Sequence, residues 1–221
     1  MKSFSQQFWA PCAVSFGMLV TVLAGPLPAM AQAADTVIET AAREAIVLDF
    51  TSGRVLLDKN ADQRMPTASM SKLATMFMVF EALENGRLQL DQELPVSEKA
   101  WRKGGSKMFV DVGSQVAVSD LMRGVIIQSG NDATIVLAEA LAGTEDAFAD
   151  AMTRRMQQLG MTNSQFRNAS GWPNPEHYST ARDLSLLARM MIERLPQHYS
   201  IYSEREFTYN DIKQGNRNPL L

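Results

Sequence analysis

Residues 69–83 carry apolar side chains on nearly every side of a helical projection, and Asn85-Gly86 supplies the stop signal behind them. A helix that is apolar all round has to be buried, so this segment must run through the core of whatever the chain folds into. Its first turn nonetheless carries Lys72, where the positive end of the helix dipole and the loss of water both oppose an ammonium charge. A residue placed against its local rules is a functional candidate. Ser69 lies three residues earlier, one helical turn away, within reach of the amine. The pair reads as a nucleophile with a base beside it. A Ser-x-x-Lys match alone arises about once by chance in a chain of this size. For an isolated match the default is a surface lysine whose stem snorkels outward.

The first residues read as a secretory signal, 1–31. Lys2 supplies the charge, residues 13–25 an uncharged and mostly apolar stretch, and Ala29-Met30-Ala31 a small-x-small cleavage site, favoured over cutting after Ala33. A membrane span is the competing reading, but the run falls short of the roughly twenty residues a bilayer needs, and Pro26 and Pro28 interrupt its end. Export to a bacterial periplasm or cell envelope is therefore expected. Cys12 is the only cysteine and lies inside this segment, so the remaining chain, 32–221, has no disulfide framework and no thiol nucleophile. Losing residues 1–31 removes one lysine and no acidic residue, leaving 20 basic against 24 acidic side chains. Nucleic acid is an unsuitable partner for that balance. About 190 residues suffice for one well-cored domain.

Two short apolar runs, residues 44–50 and 55–58, flank a Ser52-Gly53 turn signal and predict a β-hairpin. A loop-rich stretch, 101–113, follows the central helix. Helices are then expected from Ser119 or Asp120 to Ile127, from Asp132 to Leu141, from Thr144 to Leu159, and from Thr180 to just before Pro196. Ser, Thr or Asp at each start and Gly near several ends give the mechanism. Residues 206–209 are a candidate late strand. A hairpin and one late strand make a poor sheet, since three or more strands with a covered face are usually needed. The chain therefore reads as cut short.

Between two of these helices lies Ser129-Gly130-Asn131, at a loop tip able to point into a cleft. Ser129 is suited to relaying a proton, and the Asn131 amide both donates and accepts. Taken alone they are equally good turn and N-cap residues.

Together, Ser69-x-x-Lys72 opening a buried helix and Ser129-Gly130-Asn131 some sixty residues later resemble the penicillin-binding and serine β-lactamase superfamily. The similarity is closer to the low-molecular-mass penicillin-binding proteins that are D-alanyl-D-alanine carboxypeptidases. It extends through residues 64–69, Leu121-Met122-Arg123-Gly124, Gly160-Met161-Thr162, Asn168-Ala169-Ser170-Gly171 and residues 178–183. The resemblance implies an α+β fold of the β-lactamase/transpeptidase-like type, with an antiparallel sheet packed with helices, a mostly helical lobe, and a sheet incomplete in this chain. It implies Ser69 as acylated nucleophile, Lys72 as base, Ser129 as proton relay and Asn131 as an orienting contact to the substrate amide. The Ser69 N–H at the helix start would be an oxyanion donor. Peptidoglycan stem peptides are the implied substrate, β-lactam antibiotics the covalent inhibitors, and neither cofactor nor metal is called for.

The superfamily's third motif, Lys-Thr-Gly, does not occur in the chain, and the family's C-terminal β-domain and amphipathic membrane-anchoring helix are also expected to be missing. An inactive penicillin-binding or peptidoglycan-associated protein is accordingly the alternative. A β-lactamase is a further rival, but it commonly activates its deacylating water with a glutamate followed three residues later by asparagine. Glu176, the only glutamate in 160–180, lacks that partner. A Ser-His-Asp hydrolase would have to use His177 or His198, with no G-x-S-x-G elbow. His177, beside Pro175, reads as a polar loop residue.

Overall fold

Helix α1, Lys72–Glu84, is the pillar that its all-round apolar sequence demands. In the computed structural model, which describes residues 38–221, it touches four other helices. The segment expected to be a signal, 1–31 with Cys12, lies outside the described residues. The elements in chain order are β1 (Ala45–Leu48), β2 (Val55–Lys59), a 3-10 turn (Ala68–Ser71), α1, β3 (Glu93–Pro95), α2 (Glu98–Arg102) and β4 (Gln115–Ala117). There follow α3 (Val118–Gln128), α4 (Asn131–Ala142), α5 (Glu145–Gln158), α6 (Ala181–Arg194), α7 (Pro196–Tyr199), a second 3-10 turn (Ser200–Ser203), β5 (Glu206–Tyr209) and β6 (Ile212–Gly215). The fold is α+β. Among the described residues the strands form three antiparallel two-stranded ladders, β1 with β2, β3 with β4, and β5 with β6.

Around α1 pack α3, α4, α5 and α6. Phe77, Phe80 and Met76 of α1, Ile135 and Leu137 of α4, and Phe148, Met152 and Met156 of α5 are withdrawn from water almost completely. Burial of side chains this large contributes about 1.5–3 kcal/mol each. Methionine, unbranched and polarizable, fills irregular gaps in this layer.

Helix starts follow their caps. Thr144 accepts from the Ala147 N–H and Thr180 from the Asp183 N–H, as the sequence predicts. Helix α3 instead begins at Val118 behind Ala117, with no side-chain cap; Asp120 sits in its first turn, favourable to the dipole. Helix α2, whose last two residues enter the stretch read as loop, is capped by Ser97 on the Ala100 N–H. The late strand is a full hairpin. Asn210 and Asp211 both take left-handed backbone angles, φ 47° and 60°, which a two-residue turn between antiparallel strands requires.

The turn ahead of α1 is held by an unusually close contact. Gly171 has φ +79°, and a Cβ built on it would lie 1.7 Å from the Ala68 carbonyl oxygen. Gly171→Ala is therefore expected to displace the 68–71 turn and destabilise the protein by about 2–4 kcal/mol, measured by urea unfolding. An unchanged midpoint would contradict the packing described.

Candidate active site

The Lys72 ammonium lies at the crossing of three segments far apart in sequence. Its Nζ is 2.7 Å from Asn131 Oδ1, 2.9 Å from the Ser170 carbonyl oxygen and 3.2 Å from Ser69 Oγ. Lys72 is only 5 % exposed, whereas Ser69 is open to solvent. Asn131 Oδ1 and the Ser170 carbonyl can only accept, so they occupy two of the three amine positions. The third faces the Ser69 hydroxyl. When the amine loses its proton, it is that position that is free to hold the lone pair.

Burial lowers the Lys72 pKa to about 8. The positive charges of Arg217 and Lys103 add to the effect, and the Asp132 carboxylate opposes it. A lysine at its ordinary value of 10.5 would be charged almost entirely at neutral pH; at about 8 roughly a tenth is neutral at pH 7.

Each partner is itself held. The Asn131 Nδ2 donates to the Gly104 carbonyl at 2.9 Å, and its backbone N–H to the Ser106 carbonyl at 2.8 Å. These bonds orient the amide so that its oxygen faces Lys72 and one N–H is left over. Asp132, read from sequence as a helix start, is a fully buried clamp. It accepts from the backbone N–H groups of Met108, Phe109, Val110 and Ala133, pinning residues 108–110 beside the site. The Ser170 carbonyl is presented by a loop that Thr75 holds through the Ala169 carbonyl and Glu145 through the Ala169 N–H. Asn168 Oδ1 accepts from the Ser170 and Trp172 N–H groups.

Ser69, Lys72 and Ser129 line one cavity of about 360 Å³, together with Met70, Tyr202 and Arg217. Ser129 ends α3 in a left-handed conformation, φ 61°, and its hydroxyl is buried without a hydrogen-bond partner among the described residues. A buried hydroxyl left free is unusual and calls for an explanation. All four sequence-predicted residues thus come together, with Asn131 reaching the site through Lys72. Sequence reasoning missed the Ser170 carbonyl, Arg217 and Lys103. A backbone acceptor leaves no residue-type signature, and neither cation belongs to a motif. His177 is also more than a loop residue: it is buried and hydrogen-bonded to Ser71. Glu176 lies exposed against Arg167.

Comparison with known proteins identifies the family. The model of the peptidase S11 family, D-alanyl-D-alanine carboxypeptidase, matches residues 29–221. The D-alanyl-D-alanine carboxypeptidase DacC of Escherichia coli is 42% identical over 186 residues, 81% of this chain and 46% of that protein. The crystal structure of penicillin-binding protein 5 from Haemophilus influenzae superposes with a TM-score of 0.80 at 41% identity, covering 83% of this chain and 54% of the other. Penicillin-binding protein D2 of Listeria monocytogenes, solved in its ampicillin-bound form, has a TM-score of 0.73 at 31% identity, covering 81% and 74%. The chain spans about half the length of the curated relatives it matches.

An NMR titration of the Lys72 side chain is expected to give a midpoint near pH 8. A midpoint near 10.5 would contradict the desolvation described. Because the unfolded chain keeps this proton up to about pH 10.5, Lys72 opposes folding below pH 8, and that opposition fades as pH rises from 8 to 10.5.

Proposed function

We propose, from the premise that the chain belongs to the D-alanyl-D-alanine carboxypeptidase family, that it removes the terminal D-alanine from peptidoglycan stem peptides through an acyl-enzyme on Ser69. The observation that carries this reading is the buried Lys72 amine, saturated on two sides by pure acceptors and facing the exposed Ser69 hydroxyl on the third. Neutral Lys72 takes the Ser69 proton as the oxygen attacks the carbonyl carbon of the penultimate D-alanine. The Ser69 N–H, in the 3-10 turn that leads into the central helix, donates to the oxyanion. Ser129, whose hydroxyl has no other partner among the described residues, carries the proton to the departing D-alanine nitrogen as the C–N bond breaks. Water then hydrolyses the ester, returning the hydroxyl to Ser69. The spare Nδ2–H of Asn131 orients the substrate amide.

A β-lactam carbonyl offers the same electrophile to the same serine, and the ampicillin-bound relative supports that extension. Arg217 and Lys103, both close enough to depress Lys72, make the surroundings favourable to an anionic substrate end. In this reading residues 32–221 are the N-terminal part of a penicillin-binding carboxypeptidase domain, exported to the bacterial envelope by the signal segment at 1–31, where its substrate lies.

Release of D-alanine from a pentapeptide ending in D-Ala-D-Ala tests the reading. Ser69→Ala is expected to abolish release, and Ser129→Ala to lower kcat by about 10²–10⁴-fold. The parent rate is expected to rise about tenfold per pH unit up to about 8, as the amine becomes neutral, and then level off. Release that persists in Ser69→Ala would refute the assignment.

A further inference from the structure

A buried imidazole that the proposed chemistry does not use lies directly behind the nucleophile. His177 is 5 % exposed, and its ring meets Phe166 edge-on at 5.4 Å between centroids. Its Nδ1 accepts from the Arg167 N–H at 3.2 Å. A neutral imidazole carries one proton, so this bond assigns the proton to Nε2. Burial pushes the His177 pKa down to about 4, which keeps the ring neutral at working pH. Nε2 lies 2.7 Å from Ser71 Oγ, and Ser71 Oγ lies 2.6 Å from Thr67 Oγ1. All three residues are buried. His177 therefore donates to Ser71 Oγ, and the Ser71 and Thr67 hydroxyls share a second bond in which either can donate.

Thr67 and Ser71 bracket the 3-10 turn that carries Ser69. Ala68, at its entrance, has φ 45°, a left-handed angle that is strained for a non-glycine residue. Strain of this kind persists only where the surroundings over-determine it. Gly171 packs on the Ala68 carbonyl, and the hydroxyl chain ties the two ends of the turn together.

We propose that His177 is a positioning residue for Ser69: a neutral Nε2–H donor that, through Ser71 and Thr67, fixes the strained turn holding the Ser69 hydroxyl on Lys72. The functional meaning rests on Ser69 being the acylated serine. The other partners of Lys72, Asn131 and Ser170, belong to separate segments, so releasing the turn moves Ser69 and leaves the amine where it is.

Two variants of the full chain separate this role from general stability. His177→Phe keeps a ring against Phe166 but removes both hydrogen bonds; His177→Gln keeps a side-chain N–H for Ser71. The Met70 and Lys72 amides close the turn onto the carbonyls of Thr67 and of Ser69 and Met70, and hydrogen exchange followed by NMR reads them directly. In His177→Phe they are expected to exchange about tenfold faster or more, with the amides of α5 unchanged and the Lys72 midpoint still near pH 8. His177→Gln is expected to restore slow exchange, and imidazole nitrogen shifts in the parent to report the Nε2–H tautomer. Unchanged exchange at residues 70 and 72, acceleration spread evenly over the molecule, or an Nδ1–H tautomer would overturn the proposal. None of these readouts needs turnover. A chain that fails to release D-alanine would count against the proposed function, and the exchange pattern would still decide the role of His177.

Discussion

The structure turns on one desolvated amine. Withdrawing Lys72 from water costs the charged form several kilocalories per mole unless each of its protons finds an acceptor. Three oxygens meet that need, from residues 69, 131 and 170. Since one belongs to the lysine's own turn, one to the start of α4 and one to the loop at 170, the amine is also the knot that joins these segments. Two acceptors unable to donate leave the third direction to Ser69, so the same bonds that make the lysine tolerable aim it at the serine.

Rigidity in the surrounding loops comes from buried polar groups whose bonding is nearly complete. Asp132 gathers four backbone N–H groups, the kind of charge-assisted cluster that is strong in a low dielectric. Its carboxylate also partly offsets the desolvation of Lys72. Glu145 serves two ends at once, accepting from the Ala169 N–H and pairing with Lys99. Against this background three buried side-chain atoms have no partner among the described residues, Ser129 Oγ, Tyr202 Oη and Gln214 Oε1, and of these Ser129 lines the cavity beside Ser69 and Lys72 in a left-handed backbone conformation. A hydroxyl left free there is what the proposed proton relay requires.

Much of this was legible in the residues. The buried helix, its lysine in the first turn and the Ser-Gly-Asn loop rest on local rules of burial and capping, and local rules survive into the fold. Caps at Thr144 and Thr180 were readable for the same reason. The start of α3 was not, because Ala117 bears no capping group and the helix begins by virtue of packing. The Ser170 carbonyl could not be found from residue types, since every residue has one and only tertiary placement singles it out. His177 is a loop residue as read, but its burial was not legible, because its partner Ser71 is more than a hundred positions away. The final hairpin hid behind Asn210-Asp211, a left-handed pair without the glycine that usually announces it.

In the proposed function the atom that becomes acylated is Ser69 Oγ, activated by Lys72. Peptide mapping by mass spectrometry after exposure to benzylpenicillin tests it most directly, with Ser69→Ala and Lys72→Ala alongside the parent chain. The expected result is a single penicilloyl adduct on the peptide containing Ser69, absent from Ser69→Ala and strongly reduced in Lys72→Ala. An adduct on another residue, or one that forms equally fast without Lys72, would contradict it.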